Sequence, residues 1–220
     1  IYGCNRKMKK FVVDNLNFGP YVMKTKCEQR IIDDLLEAGN KLKNNKDKGY
    51  QHKLASIGID TFKFEKQTEE KFYQDITPYM QAYRKGHCKY HRIEERTVKI
   101  RSIDLWINYM KPGDFNPIHT HGGDYSFVLF LDVPEILSKE QREFNGTTVG
   151  PGELMFEYSQ QARPRWSTTG YAIKPQTGDF LIFPALLQHW VIPFRSDCTR
   201  ISVSGNMEIC NREELPNDYF

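Results

Sequence analysis

The stretch 116–131, NPIHTHGGDYSFVLFL, sets two histidines one residue apart, then a Gly-Gly-Asp turn signal, then an apolar run. Alternate residues of a β-strand share a face, so His119 and His121 would project together with Cα atoms roughly 6–7 Å apart. Two imidazoles placed that way can reach one metal ion. A wet histidine pair on an edge strand is the competing reading. The same short, β-type texture extends outward from this stretch, and strands are predicted at 97–110, 115–121, 124–133, 146–149, 153–158, 169–174, 179–183, 187–194 and 198–208. Turn signals separate them: KPGD, HGGD, FNG, GPGE, QTGD and RSD. Many short strands with no helix interleaved predict a mainly β core of two packed antiparallel sheets, a jelly roll, with flanking helices.

The first ninety residues read differently. Ile31, Ile32, Leu35, Leu36 and Leu42 share one face of a helix predicted over 28–44. A second helix is predicted over 68–84, capped by Thr68, with Phe72, Ile76, Tyr79, Met80 and Tyr83 as its stripe; Pro78 should kink or split it. The stretch HKLASIGIDTFKFEK between them is irregular or holds one strand. The expected organisation is an N-terminal helical or irregular region, 1–94, packed on a β core, 95–210, with a tail at 211–220.

Composition narrows the functional classes. The 220 residues are 39% hydrophobic and 27% charged, enough for one sizeable core, and no apolar run approaches the roughly 18 residues of a membrane span. A net charge of +3, from 31 basic and 28 acidic residues, gives no argument for nucleic acid as a partner. The five cysteines, Cys4, Cys27, Cys88, Cys198 and Cys210, form no C-x-x-C pair, and the first residues contain no apolar leader core. Free thiols and a cytoplasmic location are the expectation. Asn145 in NGT then reads as a turn rather than a glycosylation site.

Two further residues bear on the metal question. His189 lies in GDFLIFPALLQHWVIPF, where a buried ring needs a partner: a metal, or a backbone carbonyl as in an ordinary core histidine. In CTRISVS, residues 198–204, Cys198, Arg200, Ser202 and Ser204 share one strand face. If that face turns inward, the Arg200 guanidinium requires an anion, and its planar fork suits a carboxylate.

The segments YMKPGDFNPIHTH, GDFLIFPALLQHWV and RIS, in this order, resemble the 2-oxoglutarate/Fe(II)-dependent oxygenase superfamily, in a prolyl-hydroxylase-like branch found in bacteria and bacteriophages. The resemblance spans roughly residues 97–208. It implies a double-stranded β-helix (jelly-roll) core, an iron ion and 2-oxoglutarate as co-substrate. It implies O2-dependent hydroxylation of a C–H bond, with release of succinate and CO2. His119 and His189 would be metal ligands, and Arg200 with Ser202 would hold the far carboxylate of 2-oxoglutarate, joined by Tyr109 and, less favoured by strand alternation, Asn108. The family's usual carboxylate ligand is replaced at position 121 by His, so His121 completes the triad or Asp124 folds back to do so. No residue outside the metal site is nominated as an acid or base.

The substrate, a peptide or protein side chain or a small molecule, is not legible. Loops 134–146 and 159–168, the latter with Arg163, Arg165 and Trp166, are expected to flank the mouth. For a phage-encoded protein the location would be the host cytoplasm. Two other classes compete: a cupin-like dioxygenase or isomerase that does not use 2-oxoglutarate, and a metal-free jelly-roll binding or structural protein.

Overall fold

The computed structural model describes residues 19–43, 49–50, 54–147, 149–159, 170–211 and 213. Among these residues ten strands and four helices follow in the order β1 (Met23–Lys26), α1 (Gln29–Lys43), β2 (Asp60–Lys63), α2 (Lys66–Asp75), α3 (Thr77–His91), β3 (Ile100–Met110), β4 (Asn116–His119), β5 (Tyr125–Asp132), α4 (Glu135–Glu143), β6 (Leu154–Glu157), β7 (Gly170–Ile173), β8 (Asp179–Pro184), β9 (Gln188–Val191) and β10 (Arg200–Ile209). Two antiparallel sheets result. The larger has the order β1-β8-β5-β10-β3-β2, the smaller β4-β9-β6-β7. This is the jelly-roll arrangement expected from the strand spacing.

Period-2 alternation divides the large sheet between two jobs. Leu105 and Ile107 of β3, Phe127 and Leu129 of β5, Phe180 and Ile182 of β8, and Val203 and Met207 of β10 form one core with the helices. The helices answer with Ile31, Ile32 and Leu35 from α1, Phe72 from α2, and Met80 and Tyr83 from α3. The opposite face puts Met110, Phe130, Leu181 and Phe183 against Leu154, Phe156 and Val191 of the small sheet. Helices, large sheet and small sheet are therefore three layers, and the inter-sheet space holds the second core.

The predicted second helix is two helices. Ile76 ends α2 and precedes α3, whose first turn contains Pro78. Proline is tolerated there because the first amides of a helix lack intrahelical acceptors. The apolar stripe survives the break: Phe72, Ile76, Met80 and Tyr83 are all buried. Thr68 falls inside α2, which starts two residues earlier after Glu65. The N-terminal region also contributes strands, β1 and β2, to the two edges of the large sheet.

Two loop assignments change. Residues 146–149 carry no strand among those described, and 135–143, expected to be loop at a cavity mouth, is α4. Leu137 and Gln141 of α4 are buried, and Leu137 packs toward Gly152 and belongs to the inter-sheet core with Phe194. This segment closes one end of the sandwich. Residues 160–169, with Arg163, Arg165 and Trp166, lie outside the described residues, as does the tail beyond 213.

Candidate metal centre

Three histidines converge between the sheets. His119 ends β4 and stands in register with His189 of β9, while His121 lies just beyond β4, held by its own N–H bonding Ala185 O at 2.9 Å. Strand geometry therefore positions His119 alone of the HTH pair. The turn after it positions His121. Ring centroids are 4.2 Å apart for His119–His189 and 4.9 Å for both pairs with His121. One ligand-capable nitrogen from each ring lies within 4.8 Å of the others.

Proton positions follow from the neighbours. His119 Nδ1 is 2.6 Å from Pro117 O and His189 Nδ1 is 2.9 Å from Leu187 O. A carbonyl only accepts, so both Nδ1 atoms carry the hydrogen and both Nε2 atoms present lone pairs inward. His121 Nε2 approaches His189 Nε2 to 3.1 Å. Two imidazole nitrogens bound at right angles, each roughly 2.1 Å from a metal, sit roughly 3.0 Å apart. The trio fits a metal ion.

Electrostatics agree with that fit. Burial, and then the neighbouring histidines, pull His189 down to about 3, and burial followed by His119 pulls His121 down to about 4. Burial also lowers His119, against the opposing bond to Pro117. All three are neutral at pH 7, the form that ligates. Phe183 and Phe156 pack their rings 5.0 and 6.0 Å from His189, which keeps water from that side.

The cavity beside the trio, about 140 Å³, is lined by Asn108, Arg200, Ser202 and Ser204 along one wall. Arg200 is 3% exposed; its Nη1 donates to Gly152 O at 2.8 Å, and Phe130 lies beneath it at 5.3 Å. Its Nε is buried without a partner, and no carboxylate among the described residues pairs with it. Burial lowers its pKa to about 10. A guanidinium so enclosed lacks its anion, and a ligand carboxylate is the group the site calls for. The donor set thus fits iron at one end and a carboxylate at the other.

Other candidates fall elsewhere. β10 pairs with β3 so that Ser202 faces Asn108 and Ile201 faces Tyr109. Tyr109 accordingly turns to the helical side, edge-on to Phe62 and under Lys43 Nζ, away from the Arg200 face. It does not reach the cavity, whereas Asn108 does, accepting from Thr61 Oγ1 at 3.2 Å and donating to Ser204 Oγ at 3.4 Å. Asp124 is not brought to the trio: its carboxylate accepts the Ile209 N–H at 2.8 Å. Sequence reasoning missed Trp106, whose ring lies 5.9 Å from His121, and Ser56 and Asn116, which also line the cavity.

The turn that aims His121 depends on Gly123, at φ +90°, where a Cβ would stand 2.6 Å from Met207 O. Gly123→Ala is expected to cost about 2–4 kcal/mol, from positive φ together with a backbone collision. Urea unfolding of the metal-free protein measures it; a loss under 0.5 kcal/mol would mean the turn relaxes freely.

Comparison with known proteins places this geometry. The model of a family described as "Putative 2OG-Fe(II) oxygenase" matches residues 104–206. Among curated proteins, no sequence match was found. Solved structures match over most of the chain. A prolyl-4-hydroxylase from Pseudomonas putida aligns with TM-score 0.55 at 12% identity, over 85% of this chain and 91% of that one. A viral collagen prolyl hydroxylase of Paramecium Bursaria Chlorella virus-1, solved with 2-oxoglutarate, gives 0.53 at 18%, over 86% and 96%. The α-ketoglutarate-dependent epimerase SnoN of nogalamycin biosynthesis gives 0.55 at 14%, over 85% and 78%. At such identities these likenesses concern the fold, and it is the prolyl-hydroxylase-like jelly roll. The core of the chain, residues 104–206, is thus similar to the 2OG-Fe(II) oxygenases in family pattern, and the chain as a whole shares their fold.

Proposed function

We propose that this protein is a 2-oxoglutarate- and Fe(II)-dependent oxygenase that hydroxylates a C–H bond of a peptide side chain or small molecule, with His119, His121 and His189 holding the iron. Arg200 and Ser202, with Asn108 beside them, hold 2-oxoglutarate by its far carboxylate. The observation that carries the reading is a small cavity with three ligand-capable imidazole nitrogens at one end and an enclosed guanidinium without a carboxylate partner at the other. Iron(II) and 2-oxoglutarate, the family's cofactor and co-substrate, supply the oxidising chemistry with O2, yielding succinate and CO2.

The protein's residues position and exclude. Pro117 O and Leu187 O fix two imidazoles in the ligating tautomer, so the nitrogens need no proton transfer before binding a cation. Gly152 O anchors one arm of Arg200 and leaves the rest of the fork for a carboxylate. Phe130, Phe183 and Leu154 line the cavity and keep bulk water out of it. No helix among the described residues is long and apolar enough to cross a membrane.

Titrating 2-oxoglutarate into the anaerobic Fe(II)-loaded protein is expected to raise a visible metal-to-ligand charge-transfer band. Admitting O2 should then release succinate slowly without added substrate. A parent protein that binds iron yet gives neither band nor succinate would contradict the reading.

A further inference from the structure

Beyond the trio and Arg200, two buried polar atoms on the cavity wall have no partner: Ser56 Oγ and Asn116 Oδ1. They come from distant parts of the chain and meet through backbone pairing. Ile57 N–H donates to Phe115 O at 3.0 Å and Phe115 N–H to Ile57 O at 3.2 Å, an antiparallel bridge. That register sets Ser56 opposite Asn116. Ile57 is 53% exposed, so its neighbour Ser56 turns the other way, and both it and Asn116 face the cavity.

Asn116 is also placed along the cavity's length. It pairs with Val191, as His119 pairs with His189, and β6 continues the ladder with Phe156 at His189 and Leu154 at Val191. Gly152, further in the same direction, holds Arg200. Asn116 therefore stands between the metal end and the carboxylate end. Its Nδ2 is 3.4 Å from His119 Nε2, onto whose lone pair it points.

We propose that Asn116, oriented by Ser56, donates a hydrogen bond to the C1 carboxylate of 2-oxoglutarate; the inference rests on the function proposed above. A metal ion on His119 takes up the lone pair that the Asn116 amide faces, and frees that N–H for an anionic oxygen beside it. The two orphan atoms make no bond in the structure; once the amide turns away from His119, the Ser56 hydroxyl opposite it donates to Asn116 Oδ1 and fixes which end of the amide faces inward. Both side chains are neutral, so neither competes with Arg200 for the C5 carboxylate. The two ends of the co-substrate are read by separate groups.

The test uses two probes on anaerobic Fe(II)-loaded protein, read by the visible charge-transfer band. One is 2-oxoglutarate; the other is 2-oxobutyrate, which keeps the C1 carboxylate and ketone but lacks the C5 carboxylate. Asn116→Ala is expected to weaken both by the same factor, about tenfold, as for a lost hydrogen bond to a charged group, with iron affinity unchanged. Ser56→Ala should weaken both by about threefold, and Ser56→Thr should restore them. Arg200→Lys should weaken only 2-oxoglutarate. Circular dichroism confirms folding, and Ser56→Ala, on the outer wall segment, keeps the test open if Asn116→Ala does not fold. Variants of both residues that bind the two acids as the parent does overturn the inference, as does loss of iron together with the acids. A parent that gives no band with either acid overturns the function proposed above, and this inference with it.

Discussion

Replacing His189 by alanine is expected to weaken Fe(II) binding by about 100-fold or more, beyond the 10–100-fold typical of groups that only support a ligand. His119→Ala and His121→Ala should do the same, because each removes one of three inward nitrogens. His189 is the most enclosed, between Phe156 and Phe183. Asp124→Asn is the control: its carboxylate serves the Ile209 N–H, so iron affinity should hold. Anaerobic iron titration, with circular dichroism to confirm folding, measures all four. Normal iron binding by His121→Ala together with loss in Asp124→Asn would return the carboxylate triad.

Arg200→Met is expected to separate stability from co-substrate binding. Enclosure pulls the guanidinium well below its usual range, to about 10, so the charged form is disfavoured in the folded state. A depression of that size corresponds to about 3 kcal/mol. Below pH 10 both states are charged and the whole penalty stands. Above about pH 10 the unfolded chain holds more protons than the folded one, so stability rises with pH until the unfolded guanidinium also titrates. Methionine removes the charge and fills similar space, at the loss of the Gly152 bond. The ligand-free variant should be more stable by about 1–2 kcal/mol at pH 7, while 2-oxoglutarate binds about 100-fold more weakly. A less stable variant with unchanged 2-oxoglutarate affinity would make Arg200 a structural residue.

The choice between Asn108 and Tyr109 marks where the sequence stops informing. Alternation puts them on opposite faces, but which face meets Arg200 is decided by the pairing of β10 with β3, which is long-range. The β core was legible because its strands are short, alternating and punctuated by turns. α1 and the break at Pro78 were legible from the 3.6-residue stripe and proline's missing N–H. α4 was not, since its buried residues are only Leu137 and Gln141 on an otherwise charged segment. β1, Met23–Lys26, exists because it borrows the edge of β8. Ser56 and Asn116 lie 60 residues apart, and no local pattern joins them; the Ile57–Phe115 bridge does.

The proposed third ligand, His121 in place of a carboxylate, has a thermodynamic consequence. Three neutral imidazoles leave a divalent cation with its full charge, whereas an aspartate in the third place would have neutralised half of it. A dianionic co-substrate then meets a more positive centre, and a cation meets a pocket that the dianion has already made negative. Each should raise the other's affinity, and by linkage the two factors must be equal. The protein would then fill as a pair, with little iron held at low 2-oxoglutarate, so its occupancy would follow the cell's supply of the keto acid.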